Sequence, residues 1–342
     1  MLRPDLLLQP TPAGLYCPPG DFYIDPVRTA VERAVITHGH ADHARAGHGR
    51  VLATPETLKI MAARYGEAFA RQRQALEPGE HVDINGVRVS FAPAGHVLGS
   101  AQAIVDYRGL RMVCTGDFKR RHDPTCAQFE VVPRTHVFIS EATFALPVFT
   151  HPDTSAEIAK LLASVSAFPE RTHLVGVYAL GKAQRVIKLL RQAGYGAPLF
   201  IHGALEKLCT LYEAAGIALG PLEAATLKSA SRGETERFRG GIVLGPPSAF
   251  RDKWGRRFPD PMLAFASGWM RVRQRAKQSG VELPLIISDH ADWTELTQTV
   301  RDVNPEELWV THGREDALCR WAELDGRKAR PLRLVGYEDE GD

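Results

Sequence analysis

The sequence has few of the features that mark disulfide-rich, strongly charged or membrane proteins. Its five cysteines among 342 residues are scattered and form no CxxC pair. An odd, dispersed set argues against a disulfide framework and for reduced thiols, so we expect a cytoplasmic protein. The formal net charge is only +2, so a basic surface for a polyanion would have to be local. No apolar run approaches a membrane span, and the three-leucine run near the start is too short for a signal peptide.

The chain also lacks internal repeats and low-complexity tracts, and its organisation is read from changes in pattern. Short β-like runs dominate residues 22–37 and 81–117, whereas strands and helices alternate in the middle third. Such alternation predicts a parallel sheet with helical connections. Strand-like runs return near the end. We therefore predict a discontinuous domain of residues 1–145 and 285–342, with an inserted α/β domain of residues 146–284.

Particular elements follow from the same patterns. The apolar spacing predicts a helix over 55–75, and Arg108-Gly109 predicts a hairpin turn. In the middle third, helices are expected at 153–167, 181–193 and 203–215, with strands at 173–178, 198–201 and 241–244. The end of the chain is expected to form a strand at 285–287, a helix near 293–302 and a strand at 308–310.

The richest stretch for function is residues 36–43, Ile-Thr-His-Gly-His-Ala-Asp-His. His38, His40, Asp42 and His43 follow an apolar, strand-like run, and ligands are often placed where strands end. Imidazole and carboxylate groups suit zinc, manganese and iron. Four such groups this close together would crowd one ion, so they favour two adjacent ions. The alternative is a solvated histidine-rich loop.

Four further polar residues stand at the ends of predicted strands. Singly, a histidine or aspartate there is more often structural, and the set as a whole is what points to a site. They are His96, Asp117, His290 and His312.

Together these motifs resemble a known superfamily. The His-x-His-x-Asp-His segment, the Gly95-His96 loop and Thr115-Gly116-Asp117 resemble the metal-binding pattern of the metallo-β-lactamase fold. Glu141 at a strand end, and the segments around His290 and His312, resemble the additional motifs of the β-CASP nucleases, as does Gly181-Lys182-Ala183-Gln184. The compact size and residues 16–26 look most like the bacterial ligase-associated DNA exonucleases. This resemblance implies an α/β protein, a four-layer αββα sandwich with an inserted α/β β-CASP domain.

The resemblance also implies roles for the site residues. Two divalent cations, zinc or manganese, would be the cofactors. His38, His40 and His96 would hold one ion, and Asp42, His43 and His312 the other, with Asp117 bridging them and counted among the catalytic residues. His290 would be the general acid for the leaving oxygen, with Glu141 as its partner.

Substrate contacts are expected from a run of cations and indoles within residues 251–277, which fits a phosphate-tracking groove with stacking platforms. An ordinary solvated helix face is the alternative for 271–277. The candidate contact residues are Gly99, Ser100, Lys182, Ser248, Arg251, Lys253, Trp254, Ser267, Trp269, Arg271 and Arg273.

The leading hypothesis is a two-metal DNA exonuclease of repair or end processing, acting 5′ to 3′ on single strands. The resemblance also implies nucleic acid as partner and a functional association with a DNA ligase or helicase. The main alternative is an RNA-processing nuclease, which His312 favours because the crosslink-repair exonucleases generally lack it. Less favoured readings are a small ester or thioester hydrolase of the same fold and a non-catalytic binding subunit.

Overall fold

The computed structural model describes residues 3–28, 30–226, 235–278 and 280–334. Contacts divide the chain into two compact units. Among the described residues, the terminal unit comprises those up to 150 and those from 290 to 334, and the inserted unit comprises those between 151 and 289. Each division lies five residues beyond the position expected from the sequence.

The terminal unit contains two mixed β-sheets. The first is six-stranded, in the order β1-β2-β3-β4-β5-β6. Its first three strands are antiparallel neighbours, and β3 to β6 pair in parallel. The strands are β1 (Gln9–Thr11), β2 (Gly14–Cys17), β3 (Phe22–Ile24), β4 (Arg33–Val35), β5 (His48–Ala53) and β6 (Ala70–Ala75).

The second sheet is seven-stranded, in the order β19-β18-β11-β10-β9-β8-β7. Strands β7 to β10 form an antiparallel meander, and β10, β11, β18 and β19 pair in parallel. The strands are β7 (His81–Ile84), β8 (Val87–Pro93), β9 (Ala101–Tyr107), β10 (Leu110–Cys114), β11 (Val137–Ala142), β18 (Glu307–Gly313) and β19 (Lys328–Pro331). The predicted turn at Arg108-Gly109 joins β9 to β10, and both residues have positive φ angles, as a tight hairpin requires.

Apolar residues from both sheets form the central core of this unit. Val35 and Leu52 of the first sheet pack with Phe91 and Met112 of the second. Helices cover the two outer faces. They are α1 (Pro55–Tyr65) on the first sheet, and α7 (Trp293–Val303) and α8 (Glu315–Leu324) on the second. Alternate residues of each strand therefore face different layers, which gives the predicted αββα sandwich.

The inserted unit is a doubly wound α/β domain. Its six strands are all parallel, in the order β14-β13-β15-β12-β16-β17. The strands are β12 (Thr172–Gly176), β13 (Leu199–Ile201), β14 (Leu222–Ala224), β15 (Ile242–Gly245), β16 (Pro261–Ala266) and β17 (Leu283–Leu285). The helices are α2 (Thr154–Ala167), α3 (Lys182–Gln192), α4 (Gly203–Ala214), α5 (Pro247–Arg251) and α6 (Arg273–Gln278).

Two of the element predictions were wrong. The helix expected over 55–75 ends at Tyr65, because Gly66 takes a positive φ of 85°, and residues 70–75 form edge strand β6. Phe69 packs beside α1 in the core of the terminal unit instead of extending the helix. The strand expected at 285–287 occupies 283–285 and pairs with β16, which places it in the inserted unit.

The sequence analysis expected neither a membrane span nor a disulfide framework. No described helix is long and apolar enough to cross a membrane. No disulfide joins any of the five cysteines, all of which lie in described parts of the chain.

Candidate metal centre

The histidine-rich segment leaves β4 as an extended chain and then turns. The amide of Ala101 donates to the carbonyl of Thr37 (2.8 Å), which ties the segment to the second sheet. The carbonyl of His40 then accepts from the amides of His43 and Ala44 (3.2 and 2.7 Å), closing one helical turn. This change from extended chain to turn separates the first two histidines from Asp42 and His43.

Neighbouring loops deliver the other predicted ligands. The hydroxyl of Ser100 accepts hydrogen bonds from the amides of His96 and Val97 (3.0 and 3.1 Å), which shapes the loop between β8 and β9. After β10, Gly116 approaches Thr37 so closely that a Cβ would lie 2.4 Å from the threonine Oγ1. Glycine is required there for Asp117 to follow in its observed place.

His312 occupies the end of β18 in a strained conformation. Its φ angle is 57°, in the left-handed region that non-glycine residues seldom adopt. The next residue, Gly313, has a φ angle of 81°, and a Cβ there would lie 2.4 Å from the carbonyl oxygen of Ala142. The register between β11 and β18 also shifts at this point. Such strain persists where the surroundings impose it, often at functional sites.

One oxygen of Asp117 lies at the centre of the predicted ligands. Its Oδ2 is 3.3 Å from Nε2 of His38, 3.7 Å from Nε2 of His96 and 3.6 Å from Nε2 of His43. His40 completes the first set, with its Nδ1 3.0 Å from Nε2 of His96. The donor atoms of His38, His40, His96 and Asp117 all lie within 4.8 Å of one another.

The second predicted set consists of Asp42, His43 and His312. Nε2 of His43 is 3.4 Å from Oδ2 of Asp42, and the ring centroid of His43 is 5.0 Å from that of His312. The seven predicted ligand residues therefore surround a single region of the terminal unit, with Asp117 in reach of both sets.

Burial shapes the charges in this region. Desolvation, reinforced by nearby histidines, lowers the pKa of His38 and of His312 well below the usual value, which favours the neutral imidazole that binds metals. Burial raises the pKa of Asp117 to about 7. Burial also opposes charge on His43, yet Asp42, Asp117 and Asp25 together raise the pKa of that imidazole to about 10.

These features fit metal cations. The carboxylates of Asp42, Asp117 and Asp25 favour a positive charge at this position. A bound metal cation would supply that charge while His43 stays neutral. Among the described residues, Nε2 of His38 and Oδ1 of Asp42 are buried and have no hydrogen-bond partner. Buried polar atoms ordinarily have hydrogen-bond partners. Buried nitrogen and oxygen atoms that lack one, within a cluster of possible metal ligands, are expected where a metal binds.

The predicted acid pair lies beside the ligands. Nδ1 of His290 is 3.0 and 3.2 Å from the two carboxylate oxygens of Glu141, which is fully buried in β11. The His290 side chain is 12% exposed, and its ring centroid lies 4.7 Å from that of His96. Glu141 also accepts a hydrogen bond from the amide of Phe118 (2.7 Å), which fixes the carboxylate.

The sequence analysis did not identify Asp25. This carboxylate is buried directly after β3 and accepts hydrogen bonds from the amide and hydroxyl of Thr37 (2.8 and 2.6 Å). Its Oδ2 lies 2.9 Å from Nδ1 of His43, so it touches a ligand residue without belonging to the metal-binding motif. The signal that could have found it is its position, because it is a carboxylate that ends a strand.

Several predicted substrate contacts have structural partners instead. Ser100 is buried and engaged with the amides of the His96 loop. The carbonyl of Gly99 accepts from the hydroxyls of Thr54 and Thr57 (2.6 and 3.0 Å). Both residues therefore shape the loop of His96, and their role as substrate contacts stays a prediction.

In the inserted unit, Lys182 is fully buried. It donates to the carbonyl of Ile287 (2.8 Å) and lies 3.4 Å from Oδ2 of Asp289. Trp254 packs its ring against Phe250 and Phe258 in the core. The Ser267 hydroxyl is buried and accepts from the amide of Trp269 (3.2 Å). The side chains of Lys182 and Ser267 are thus engaged within the inserted unit and Trp254 is partly buried there, and the role of all three as substrate contacts stays a prediction.

The remaining candidates in this unit are more accessible. α5 follows β15 and the turn at Trp269 follows β16, and these strands flank β12, so both lie at the carboxyl edge of the parallel sheet, where ligands of such domains bind. Trp269 is half-buried, with the Arg275 guanidinium 3.9 Å from its ring centroid. The exposed candidates are Ser248, Arg251, Lys253, Arg271 and Arg273.

Comparisons with known proteins agree with this geometry. No family model matches the chain. It is 28% identical over 326 residues to a protein named probable DNA ligase from Opitutus terrae, which covers 90% of this chain and 30% of that protein. It is 27% identical over 223 residues to endoribonuclease YSH1 of Mycosarcoma maydis (53% of this chain, 25% of the relative). It is 33% identical over 141 residues to YSH1 of Saccharomyces cerevisiae (37% and 18%).

The chain is a metallo-β-lactamase-fold relative of the β-CASP nucleases. The match to part of a protein named a DNA ligase supports the predicted likeness to the ligase-associated group. A crystal structure of a protein of unknown function from Enterococcus faecalis V583 aligns with a TM-score of 0.59 at 13% identity, covering 89% of this chain and 80% of that one. That likeness concerns the fold alone. The chain spans less than a third of the length of the curated relatives given above.

Proposed function

We propose that this β-CASP relative is a two-metal phosphodiesterase that hydrolyses nucleic acid, and that it is a DNA exonuclease of repair or end processing. The observation that carries the proposal is the arrangement around Asp117. Histidines of both predicted ligand sets approach one oxygen of this buried carboxylate. A further pair, the buried Glu141 and the partly buried His290, lies beside them. Simple hydrolases of the fold need only the metal ligands, whereas cleavage of a phosphodiester also needs an acid for a poor leaving group.

The metal ligands have defined tasks in this proposal. His38, His40 and His96 would hold one cation, Asp42, His43 and His312 would hold the other, and Asp117 would be a ligand available to both. Two divalent cations bound there would lower the pKa of a coordinated water and neutralise charge on the phosphate oxygens. Ser100 keeps His96 in place, and Asp25 keeps His43 in place.

His290 acts as the general acid in this proposal. Glu141 faces its Nδ1, so Nε2 is the nitrogen that delivers a proton to the departing sugar oxygen. The attacking water loses a proton to the solvent, and its oxygen bonds to phosphorus as the phosphorus–oxygen bond to the leaving group breaks. The leaving hydroxyl carries the proton of His290, which takes up another from the solvent. The buried carboxylate stabilises the imidazolium that this step requires.

The relatives support either of two substrates, DNA or RNA. DNA is favoured by the relative named a probable DNA ligase, whose match covers 90% of this chain. RNA is the second candidate, because several relatives are named endoribonucleases and because His312 is present in the metal centre. The exposed cations at the carboxyl edge of the inserted sheet would track either backbone.

Matched end-labelled DNA and RNA oligonucleotides, single- and double-stranded, test the proposal. The protein is first stripped with a chelator and then supplied with zinc or manganese alone. We expect metal-dependent release of mononucleotides from the 5′ end of single-stranded DNA. Faster cleavage of RNA, or products from the middle of the strand, would contradict the DNA exonuclease and favour the RNA-processing alternative. No cleavage of any substrate with either metal, while both ions bind, would reject the nuclease itself.

A further inference from the structure

Two segments of the terminal unit lie against each other beside the metal centre. One runs from Asp117 to Arg121, directly after β10, and the other from His290 into the start of α7. The amide of Ala291 donates to the carbonyl of Phe118 (2.7 Å). The amide of Phe118 donates in turn to Glu141, the carboxylate that faces His290. Phe118 therefore connects the residue after the predicted acid to the partner of that acid.

Arg121 closes the same arrangement with an ion pair. Its guanidinium donates to Oδ2 of Asp292 (2.6 Å), and its amide donates to Oε1 of Glu295 (2.8 Å). The Asp292 side chain is fully buried, whereas that of Arg121 is 35% exposed. A buried carboxylate needs such a partner, because leaving it unpaired is costly.

Asp292 is also the residue that begins α7. Its Oδ1 accepts from the amide of Glu295 (3.0 Å), and the Glu295 side chain accepts from the amide of Asp292 (3.1 Å), which forms a reciprocal capping box. The two hydrogen bonds of the capping box thus orient the start of α7, and Arg121 links that start to the segment of Asp117. His290 is two residues away on the same turn.

We propose that Arg121 is a positioning residue for His290, acting through Asp292 and the turn at 290–292. The proposal rests on the proposed function, in which His290 protonates the leaving oxygen. Without the guanidinium, Asp292 keeps its capping bonds but loses its ion pair, and only the backbone hydrogen bonds of Phe118 and Arg121 hold the helix start against the Asp117 segment. The imidazole then loses its placement relative to the scissile bond, while the metal ligands keep theirs.

Leaving-group dependence separates positioning from general damage. An oligonucleotide has a poor leaving group that needs a proton, whereas a nucleoside 5′-p-nitrophenyl phosphate releases p-nitrophenolate without one. For Arg121→Gln we expect kcat on the oligonucleotide to fall about 10- to 100-fold, the effect of misplacing a reacting group by about 1 Å, with KM unchanged. The rate on the nitrophenyl ester and the bound metal content should stay at the wild-type level.

The adjacent arginine supplies a matched control. Arg120 also pairs with α7, donating to Thr299 and Asp302 (3.1 and 2.8 Å), but it contacts the far end of the helix. Arg120→Gln should leave both rates unchanged. Arg121→Lys keeps the charge with a single point donor and should recover part of the lost rate. This variant also serves as the test if Arg121→Gln does not fold.

A second readout does not depend on activity. Amide hydrogen exchange followed by mass spectrometry should show faster exchange at residues 290–292 in Arg121→Gln and no change in Arg120→Gln. An equal fall in rate on both substrates, a loss of metal, or the same result for Arg120→Gln would overturn the positioning role. His290→Ala is measured alongside. If it shows no leaving-group dependence, the acid assignment fails, and if it shows one while Arg121→Gln does not, only the role of Arg121 fails.

Discussion

The carboxylate of Asp25 lies 2.9 Å from Nδ1 of His43 and orients more than one ligand of the candidate metal centre. Thr37 donates its amide and its hydroxyl to the same carboxylate, and its Oγ1 lies 3.0 Å from Nδ1 of His38. One residue outside the metal-binding motif therefore fixes the rings of two histidines. Carboxylate partners of this kind raise the basicity of a metal-binding imidazole and hold its tautomer.

We predict that Asp25→Asn weakens metal binding while leaving the ligands in place. The amide keeps the shape of the side chain but loses the negative charge that favours donation by Nδ1 of His43. Affinity for zinc should fall about 10- to 100-fold, the usual effect of removing such a partner. Titration of the metal-free protein against a chromophoric chelator measures the change.

The matched control for this change is Asp21→Asn. Asp21 lies at the opposite end of β3, its side chain is 62% exposed, and the contacts of this residue within the described chain are with Tyr16 and Arg33. Its replacement should leave zinc affinity unchanged. Equal losses in the two variants would mean that a general change of charge, and not the contact with His43, governs the affinity.

Replacing Asp117 should remove the bound metal, whereas replacing His290 should leave the metal content unchanged. Asp117→Ala removes the oxygen that three imidazoles approach, so we expect neither cation to be retained. His290→Ala should retain both and lose about 10²- to 10⁴-fold in rate, the usual contribution of a general acid. Elemental analysis of the purified variants, with single-turnover rates, checks both outcomes. Loss of metal from His290→Ala would place that residue among the ligands instead.

The sequence predicted the parts of the site that carry distinctive chemistry. His38, His96 and Asp117 lie far apart in the chain. Their placement at strand ends pointed to a site, and the resemblance to the metallo-β-lactamase fold implied that they share it. The family resemblance drawn from these motifs is confirmed by the comparisons, as is the mixed α/β fold. The individual roles of the ligands and of His290 stay predictions.

The residues that support the site were less accessible to sequence reasoning. Asp25, Arg121 and Lys182 are ordinary charged residues, and only tertiary contacts give them partners. Lys182 illustrates this, because a lysine near a motif resembles a phosphate contact, and only the structure shows its burial; its role as a substrate contact stays a prediction. The error over residues 66–75 is similar, because Phe69 fits a helical spacing and its packing in the core alone excludes the helix.

Lys182 should contribute to stability and not to substrate binding. It is fully buried beside Asp289, which also receives the Arg185 guanidinium (3.0 Å). We predict that Lys182→Met lowers the free energy of unfolding by about 3 kcal/mol, the lower range for breaking a buried pair, because Arg185 still partners the carboxylate. Urea denaturation of the full chain measures it. Lys188→Met, in the same helix but more exposed, should change little. A raised KM for nucleic acid without a loss of stability would restore the substrate-binding interpretation of Lys182.

His48 offers a prediction for pH that does not involve the metal centre. It is almost completely buried at the start of β5, and burial, followed by the charge of Arg45, lowers its pKa from 6.5 to about 4. Since its folded pKa lies below the unfolded value, its contribution to stability is complete above pH 6.5. Between pH 6.5 and 4 the unfolded chain takes up a proton that the folded chain does not, so this contribution is lost as the pH falls.

We therefore predict that, in the metal-free protein, His48→Gln reduces the loss of stability between pH 6.5 and 4. The measurement is the free energy of unfolding in urea at several pH values, compared between variant and wild type so that all other histidines cancel. His81→Gln, which replaces an exposed histidine of β7, should keep the wild-type slope. A His48→Gln slope equal to that of wild type would show that His48 gains access to water and a proton within the folded protein, contrary to its burial in β5.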